Sequence, residues 1–344
     1  MTESIRDYTL SILRTLLAAD SPSGFTAQAA DASLSALREM GYEPNLTRKG
    51  GVLCCLGGTD AENGLLLSAH IDTLGAMVAQ VKGNGRLKLT NIGGFNANNA
   101  ETENVRVYAR DGRVTEGTLQ LCNASVHVNG GYSSTQRTFD TLECVLDEDV
   151  HSADDVKALG IDVGCFVCAD PRTVITESGY IKSRFLDDKL SAAILLGFAR
   201  YLKEEQITPQ RQIWIHLTVY EELGHGASAT MPAGVTEILG IDMGCVGDGL
   251  SCTERDVSVC VKDGSGPYNY EMTSRLLALS KENALRCAAD VYPYYSSDCS
   301  AAIRSFDVKH ALIGPGVYAS HGYERSHVDG VINTFELIRL YALG

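Results

Sequence analysis

The sequence is poor in basic side chains and contains no long apolar run. It has 29 lysines and arginines against 43 aspartates and glutamates, which gives a net charge of -14. Because phosphate binding needs a basic face, this balance argues against nucleic acid as a partner. No apolar run approaches the ~20 residues that cross a bilayer, and the first residues lack the charged-then-apolar order of a secretory signal. We therefore expect a cytoplasmic protein with no nucleic-acid or membrane partner.

Several catalytic motifs are also missing. The chain has no H-E-x-x-H, no G-x-S-x-G and neither of the Gly-rich loops that hold phosphates or dinucleotides. The 11 cysteines are an odd number, and without a secretory signal they are expected to be reduced thiols. The pair Cys165 and Cys168 has no second pair at zinc-finger spacing, so packing is its predicted role. These absences argue against single-zinc helix proteases, serine-nucleophile hydrolases and nucleotide-loop enzymes.

The most informative stretch is Ile213 to Glu222, which reads I-W-I-H-L-T-V-Y-E-E. Seven of its first eight residues are apolar, aromatic or β-branched, which predicts a buried strand. The strand ends in two adjacent acids, Glu221 and Glu222. Unpaired carboxylates at the end of a core strand are costly or lose their charge. The sequence therefore predicts a positive partner for them.

The alternation of helices and strands predicts an α/β fold with an insertion. Helical and strand-like segments alternate over residues 1–73 and again over 174–344, which predicts a mostly parallel sheet flanked by helices. Residues 74–173 instead show short alternating strands and Gly- and Asn-rich turns with almost no helix. We expect a discontinuous catalytic domain interrupted by a small β-barrel-like domain. Within the second part, a long helix is predicted over 270–289 and a turn at 314–316.

Ionisable residues stand where predicted strands end or helices begin, which is where open α/β sheets carry their sites. They are His70, Asp72, Asp187, Glu222, Asp242 and His321. Apart from Asp72, these residues offer two imidazoles and three carboxylates, which suit a pair of divalent metals with one bridging carboxylate. Zinc favours such mixed ligation, and cobalt or manganese would tolerate it. Two metals can share an activated water, and Glu221, beside a ligand, could move protons.

Each of these residues also has a plainer interpretation. A single histidine after a strand is commonly structural, and Asp187 alone fits a helix cap. Asp298 is predicted to cap a helix, although it could border the pocket. The residues that we expect only near the site, behind the ligands, are His225, Glu324 and His327. The remaining histidines are predicted to be structural: His127, His151, His216 and His310.

Six short segments follow one another in an order that is specific only when all are taken together. They are Ser21–Gly24, Ser68–Gly75, Phe185–Lys189, Glu221–Gly224, Gly240–Met243 and Tyr318–Glu324. With the β insertion after the first histidine, the chain resembles the glutamyl aminopeptidase and tetrahedral (TET) aminopeptidase family of co-catalytic dinuclear metallopeptidases. The resemblance implies a zinc-exopeptidase-like fold and a cytosolic homo-oligomer, often a tetrahedral dodecamer, with subunit contacts through the inserted domain.

The same resemblance implies a role for each site residue. The metal ligands would be His70 with Asp242, Glu222 with His321, and Asp187 as the bridge. Glu221 would act as general base and then as general acid. Asp72 would orient His70, as a metal-bound imidazole requires.

We therefore predict a dinuclear metal-dependent aminopeptidase, in which metal-bound hydroxide attacks the first peptide carbonyl and Glu221 shuttles the proton. The alternative is a metal-dependent deacylase or amidase on a small modified dipeptide, since the chain is most similar to a branch associated with osmoprotectant dipeptides. A catalytically inactive scaffold is the third interpretation, which the intact ligand set argues against.

Overall fold

The computed structural model describes residues 1–344. The chain divides into two compact units, one made of Met1–Asp72 with Arg172–Gly344 and the other of Thr73–Pro171. The larger unit holds a helix-covered sheet, and the smaller one holds a closed barrel of strands. All 11 cysteines are free thiols.

Eight α-helices occur along the chain. They are α1 (Glu3–Ala18), α2 (Ala27–Glu39), α3 (Ala97–Ala100), α4 (Ala153–Ala158), α5 (Leu186–Glu204), α6 (Tyr270–Glu282), α7 (Asp298–Ala302) and α8 (Val328–Leu343). The first begins where the Thr2 hydroxyl accepts a hydrogen bond from the Ile5 main-chain N–H, which satisfies one of the free donors at a helix start. Helix α5 is buried along almost its whole length. None of the helices combines the length and the apolar character that crossing a membrane requires.

Nineteen strands occur along the chain. They are β1 (Asn45–Leu46), β2 (Val52–Gly57), β3 (Asp60–His70), β4 (Gly75–Val81), β5 (Leu87–Ile92), β6 (Asn104–Tyr108), β7 (Val114–Leu121), β8 (Leu142–Leu146), β9 (Phe166–Ala169), β10 (Val174–Ile175), β11 (Tyr180–Ser183), β12 (Arg211–Thr218), β13 (Val235–Ile241), β14 (Gly244–Val246), β15 (Val257–Asp263), β16 (Gly266–Pro267), β17 (Cys287–Val291), β18 (Lys309–Tyr318) and β19 (Glu324–His327).

The sheet of the larger unit runs in the order β1-β2-β12-β3-β13-β18-β19-β11-β10. Its centre, from β12 to β18, is parallel, whereas the flanking pairs are antiparallel. The α/β architecture with an inserted barrel is thus confirmed, and the sheet is mixed. Parallel central strands bring their carboxyl ends to one edge, where loops that carry polar groups can meet.

Two local predictions are wrong. The helix predicted over 270–289 ends at Glu282, and Cys287–Val291 forms β17, which pairs with β15. Alanines favour a helix there, but sheet pairing overrides that preference. The turn predicted at 314–316 lies inside β18. A side chain on Gly314 would collide with the Asp242 carbonyl oxygen, so glycine allows a close approach of two backbones here rather than a turn.

The smaller unit is a closed six-strand barrel in the order β4-β5-β8-β7-β6-β9, with β9 pairing back to β4. Buried and less buried residues alternate along β6 and β7. Val105, Val107, Leu119 and Leu121 point inward and are at most 2% exposed. This period of two is the pattern by which a small barrel fills its interior.

Candidate active site

His70 ends the central strand β3 and is 1% exposed. Its Nδ1 lies 2.9 Å from the main-chain carbonyl oxygen of Asp72. A carbonyl oxygen can only accept, so Nδ1 carries the proton and donates it. The other ring nitrogen, Nε2, lies 3.1 Å from Asp187 Oδ1. The imidazole is therefore held with Nε2 directed at a carboxylate.

Asp72 is fully buried just beyond β3. The Ser23 hydroxyl donates to Asp72 Oδ2 at 2.5 Å, and the Glu221 main-chain N–H donates to Oδ1 at 3.2 Å. The carboxylate also lies 3.5 Å from His70 Nδ1. Asp72 thus fixes both the His70 ring and the backbone that carries Glu221.

Asp187 lies at the start of α5 and faces two histidines. Its Oδ1 lies 3.1 Å from His70 Nε2, and its Oδ2 lies 3.4 Å from His321 Nε2. Phe185, two positions before Asp187, has a left-handed backbone with φ of 67°, and the Asp187–Asp188 peptide bond is cis. Each carboxylate oxygen of Asp187 therefore serves a different imidazole.

Glu324 ties two of these segments together from behind. It is 2% exposed, and its two oxygens accept hydrogen bonds from the main-chain N–H groups of Asp187 and His321, both at 3.0 Å. The sequence indicated only that Glu324 would be near the site. The contacts make it a buried clamp between the start of α5 and the His321 loop.

Glu221 and Glu222 form one short 3-10 turn after β12, which follows a left-handed Tyr220 with φ of 70°. Glu221 Oε2 lies 3.7 Å from His70 Nε2, and Glu222 Oε2 lies 3.6 Å from His321 Nε2. Glu222 Oε1 is buried without a hydrogen-bond partner. The two neighbouring acids therefore point at different histidines.

Asp242 follows the adjacent strand β13 and is 6% exposed. Its Oδ1 accepts a hydrogen bond from the Met243 main-chain N–H at 2.6 Å. Two overlapping groups of ligand atoms lie within 4.8 Å of one another: His70 with Asp187 and Glu222, and His70 with Asp188 and Asp242. All five candidate ligands thus converge on one edge of the sheet, and Asp188 joins them as a residue that sequence reasoning left out.

The electrostatics of this cluster are dominated by buried acids. Burial raises the pKa of Glu221 and of Glu222 well above the usual range. Burial, followed by repulsion from Asp187, raises the pKa of Asp242 to about 7. The pKa of Asp187 is instead lowered: burial would raise it, but the hydrogen bonds with His321 and His70 outweigh burial. The site concentrates negative groups that a cation would stabilise.

The carboxylates line an open cleft of about 380 Å³. The rest of the lining consists of His321 and a wall of uncharged residues, which are Gly224, Met243, Cys245, Tyr294, Tyr295, Ser296 and Ser320. Tyr294 is 98% exposed at this wall. No lysine or arginine lines the cleft. A small molecule can reach the acid cluster from solvent.

Other residues named by the sequence lie around the cluster. His225 stacks on Tyr220 with ring centroids 5.1 Å apart, beside the double-acid turn. Asp298 does not cap its helix from the N-cap position, which is Ser297; it accepts hydrogen bonds from Thr218 and from the Ala227 main-chain N–H. His327 caps α8 by accepting from the Asp329 N–H.

Three of the supporting residues were not predicted to act in the site: Ser23, Asp188 and Tyr295. Ser23 lies in the Ser21–Gly24 segment, and Asp188 belongs to an Asp-Asp pair that the sequence displays openly. The pair signals an unusual acid density, but it does not say which member faces the histidines. Tyr295 follows a loop and carries no readable signal.

The pattern of M42 glutamyl aminopeptidase matches residues 50–337. This chain belongs to the M42 glutamyl aminopeptidase family. It is 41% identical over 334 residues to the protein named aminopeptidase YhfE of Bacillus subtilis (strain 168), covering 97% of this chain and 96% of that one. The chain is a peptide hydrolase.

Solved structures of TET peptidases share the fold. The TET aminopeptidase from Thaumarchaeota archaeon SCGC AB-539-E09 superposes with a TM-score of 0.89 at 17% identity, covering 98% of this chain and 96% of that one. The TET1 peptidase of Pyrococcus horikoshii, described as assembling into a tetrahedron or a large octahedral shell, gives 0.85 at 16% identity, covering 97% and 99%. At these identities the likeness shows the fold alone.

Proposed function

We propose that this M42 peptidase is an aminopeptidase that works with two divalent metal ions, zinc by preference and cobalt or manganese as substitutes. The observation that carries the proposal is the meeting of two imidazoles and three buried carboxylates at one sheet edge, in a cleft lined by no lysine or arginine. Buried acids that outnumber the histidines facing them are unfavourable unless a cation compensates the excess. Nitrogen and oxygen donors in this ratio suit zinc.

The state of His70 fits a metal. Its Nδ1 donates to a main-chain carbonyl, so Nε2, 3.1 Å from Asp187 Oδ1, must carry either a second proton or a metal ion. At this distance a nitrogen lone pair and a carboxylate oxygen repel each other unless a proton or a metal lies between them. Glu222 Oε1, buried without a hydrogen-bond partner, is a second lone pair with no proton or cation to accept.

The ligands follow from which groups face one another. His70 and Asp242 would hold one ion and Glu222 and His321 the other, while Asp187, which faces both histidines, would be the ligand common to the two. Asp188 lies in the His70 and Asp242 group, but its Oδ2 accepts the His70 main-chain N–H at 3.2 Å. We assign Asp188 to support of that group.

When bound, two such ions act as Lewis acids on the peptide carbonyl and lower the pKa of water. Glu221, which the ligand assignment leaves uncoordinated, takes the proton from the attacking water and delivers it to the leaving amine. Asp72 keeps Glu221 and His70 in place through its Oδ1, while Ser23 holds its Oδ2. The exposed mouth of the cleft admits the peptide, and the acid cluster receives its free amine.

Hydrolysis of aminoacyl anilides before and after chelation tests the proposal. We expect the chelated protein to lose turnover and to regain it with added zinc or cobalt. The same substrates with acetylated N-termini, together with a modified dipeptide, separate the alternative, because aminopeptidases need the free amine and deacylases do not. Turnover that survives complete removal of metal would overturn the metal assignment, and preferential cleavage of blocked substrates would favour the deacylase.

We further propose that the chain works as a cytoplasmic homo-oligomer and that the barrel of residues 74–173 contributes the subunit contacts. The support is the likeness to the TET1 peptidase of Pyrococcus horikoshii, which is described as a tetrahedral or octahedral assembly. Light scattering after gel filtration should give about twelve times the 36.9 kDa chain mass. A single species at the mass of one chain would exclude the assembly.

A further inference from the structure

The neutral wall of the cleft determines which N-terminal residue this enzyme accepts. We infer that the enzyme prefers substrates with a neutral N-terminal side chain and discriminates against glutamate and aspartate, although its family is named for glutamyl cleavage. The inference rests on the proposed function, because an aminopeptidase that holds the free amine at the acid cluster must place the first side chain in this cleft.

Most of the ionisable groups that line the cleft are acidic. Four carboxylates line it, those of Asp187, Glu221, Glu222 and Asp242, and the only basic group is His321. Two divalent cations would neutralise four carboxylates and leave no positive charge over. A glutamate side chain entering this cleft would meet no lysine, arginine or spare cation.

The wall away from the carboxylates consists of uncharged groups. Met243 and Cys245 provide sulfur and methylene surface next to the ligand Asp242, and Tyr295 provides an aromatic ring. Ser296 and Ser320 offer hydroxyl groups, which can bond a neutral amide as well as an acid. Removing a carboxylate from water against such a wall is unfavourable without a paired charge, whereas a neutral side chain of the same shape loses much less hydration.

The charge of the whole chain acts in the same direction. The net charge of -14 disfavours the approach of acidic peptides at low ionic strength. High salt screens this long-range repulsion. Under that condition, two substrates that differ only in the charge of the first side chain report on the cleft itself. Glutamine and glutamate are such a pair because they have nearly the same size and shape.

The test compares glutaminyl and glutamyl p-nitroanilides, with the leucyl compound as a neutral reference, on the zinc-loaded enzyme at high salt. We expect kcat/KM for the glutaminyl compound to exceed that for the glutamyl compound at least about tenfold, equivalent to about 1.4 kcal/mol. Free glutamine and glutamate, tested as competitors of leucyl turnover, give the same comparison as inhibition constants if either anilide is cleaved too slowly.

A matched pair of variants locates the effect in the cleft. Ser296 is an exposed residue of the wall, so Ser296→Lys adds an ammonium group without burying it. We expect Ser296→Lys to reduce the glutamine-to-glutamate ratio about twofold to fivefold, as an exposed ion pair would. Ser296→Met has a side chain of similar length without the charge and should leave the ratio at its wild-type value.

The possible results distinguish a failure of the predicted side-chain preference from a failure of the aminopeptidase proposal. Equal or faster cleavage of the glutamyl compound overturns the inference and leaves the aminopeptidase proposal standing. Failure to cleave any of the three compounds, with zinc bound, overturns the aminopeptidase proposal and the inference with it. A wild-type preference for glutamine that Ser296→Lys and Ser296→Met change equally would show that charge at this wall does not set the preference.

Discussion

Acidic side chains are compensated differently in the two units of this protein. In the barrel unit, Glu101 lies 2.7 Å from Arg137 and Glu143 lies 2.8 Å from Lys82. The hydrogen bond from Arg137 lowers the pKa of Glu101. In the sheet unit, burial raises the pKa of Glu221 and of Glu222, and no lysine or arginine lines their cleft.

The difference indicates where each unit obtains its positive charge. The barrel carries its own counter-charges on lysine and arginine, so its ion pairs contribute modestly to stability and need nothing from outside. The strand-end cluster lacks them, although acids without partners there are costly. The proposed cations would compensate this cluster. Charge-removing substitutions should therefore change turnover and metal affinity in the sheet unit, but only stability in the barrel unit.

The largest effect should come from the proposed base. Glu221→Gln keeps the shape but removes the group that moves the proton, so kcat should fall about 10²- to 10⁴-fold while bound metal stays at the wild-type level. Anilide turnover and elemental analysis of the same sample measure both quantities. The barrel variant Glu143→Gln is the matched control and should keep wild-type kcat. Unimpaired turnover of Glu221→Gln would rule out its role as base.

The second largest effect should come from the clamp. Glu324→Gln replaces one of the two oxygens that accept the Asp187 and His321 main-chain N–H groups by an amide NH₂, which cannot accept. Outer-shell changes of this kind cost about tenfold to a hundredfold in metal affinity. Zinc titration against a chelator of known affinity measures it. Wild-type affinity in this variant would show that Glu324 does not position the ligands.

A buried base gives a third, pH-dependent effect. Burial, with a smaller contribution from Lys49, lowers the pKa of His216 to about 4, below its unfolded value near 6.5. The unfolded chain therefore binds a proton first as the pH falls. Stability should drop by roughly 2 kcal/mol between about pH 7 and about pH 5 on account of this residue.

Urea unfolding of the wild type and of His216→Gln at both pH values checks this prediction. The variant should lose that part of the pH dependence, and the exposed-histidine control His151→Gln should retain it. An identical pH dependence in wild type and His216→Gln would mean that His216 remains neutral in both states or titrates equally in both.

The smallest effect is expected in the barrel. Lys88→Met removes the partner of Asp140, and the two side chains are 39% and 81% exposed. Such pairs contribute at most about 1 kcal/mol, and metal binding should not change. Denaturant unfolding of the apo and zinc-loaded forms measures both points. A loss of zinc affinity in this variant would contradict the separation between self-compensated and metal-compensated acids.

Much of the site could be predicted because it follows a simple rule of α/β sheets. His70 is the last residue of the buried parallel strand β3, and Asp242 directly follows β13. Glu222 follows β12 after a short turn. The apolar runs identify those strands, and the rule places their carboxyl ends together. Asp187 was harder, because a helix start with an Asp pair also fits simple capping.

The remaining features depend on contacts that sequence separation hides. Glu324 acts through two main-chain N–H groups on different segments, and no periodicity encodes such a clamp. Ser23 reaches Asp72 across 49 positions. The helix predicted over 270–289 includes the two alanines of 287–289, yet pairing with β15 makes 287–291 a strand. Long-range pairing and buried hydrogen bonds decided these cases.

The measurement that tests the central claim most directly is calorimetric titration of the chelated, full-length protein with zinc. We predict two bound equivalents per chain for the wild type, and weaker binding for Asp187→Asn, whose amide cannot supply two anionic oxygens to a bridge. One equivalent or none in the wild type, with the protein folded, would contradict the account that cations compensate the acids at the sheet edge.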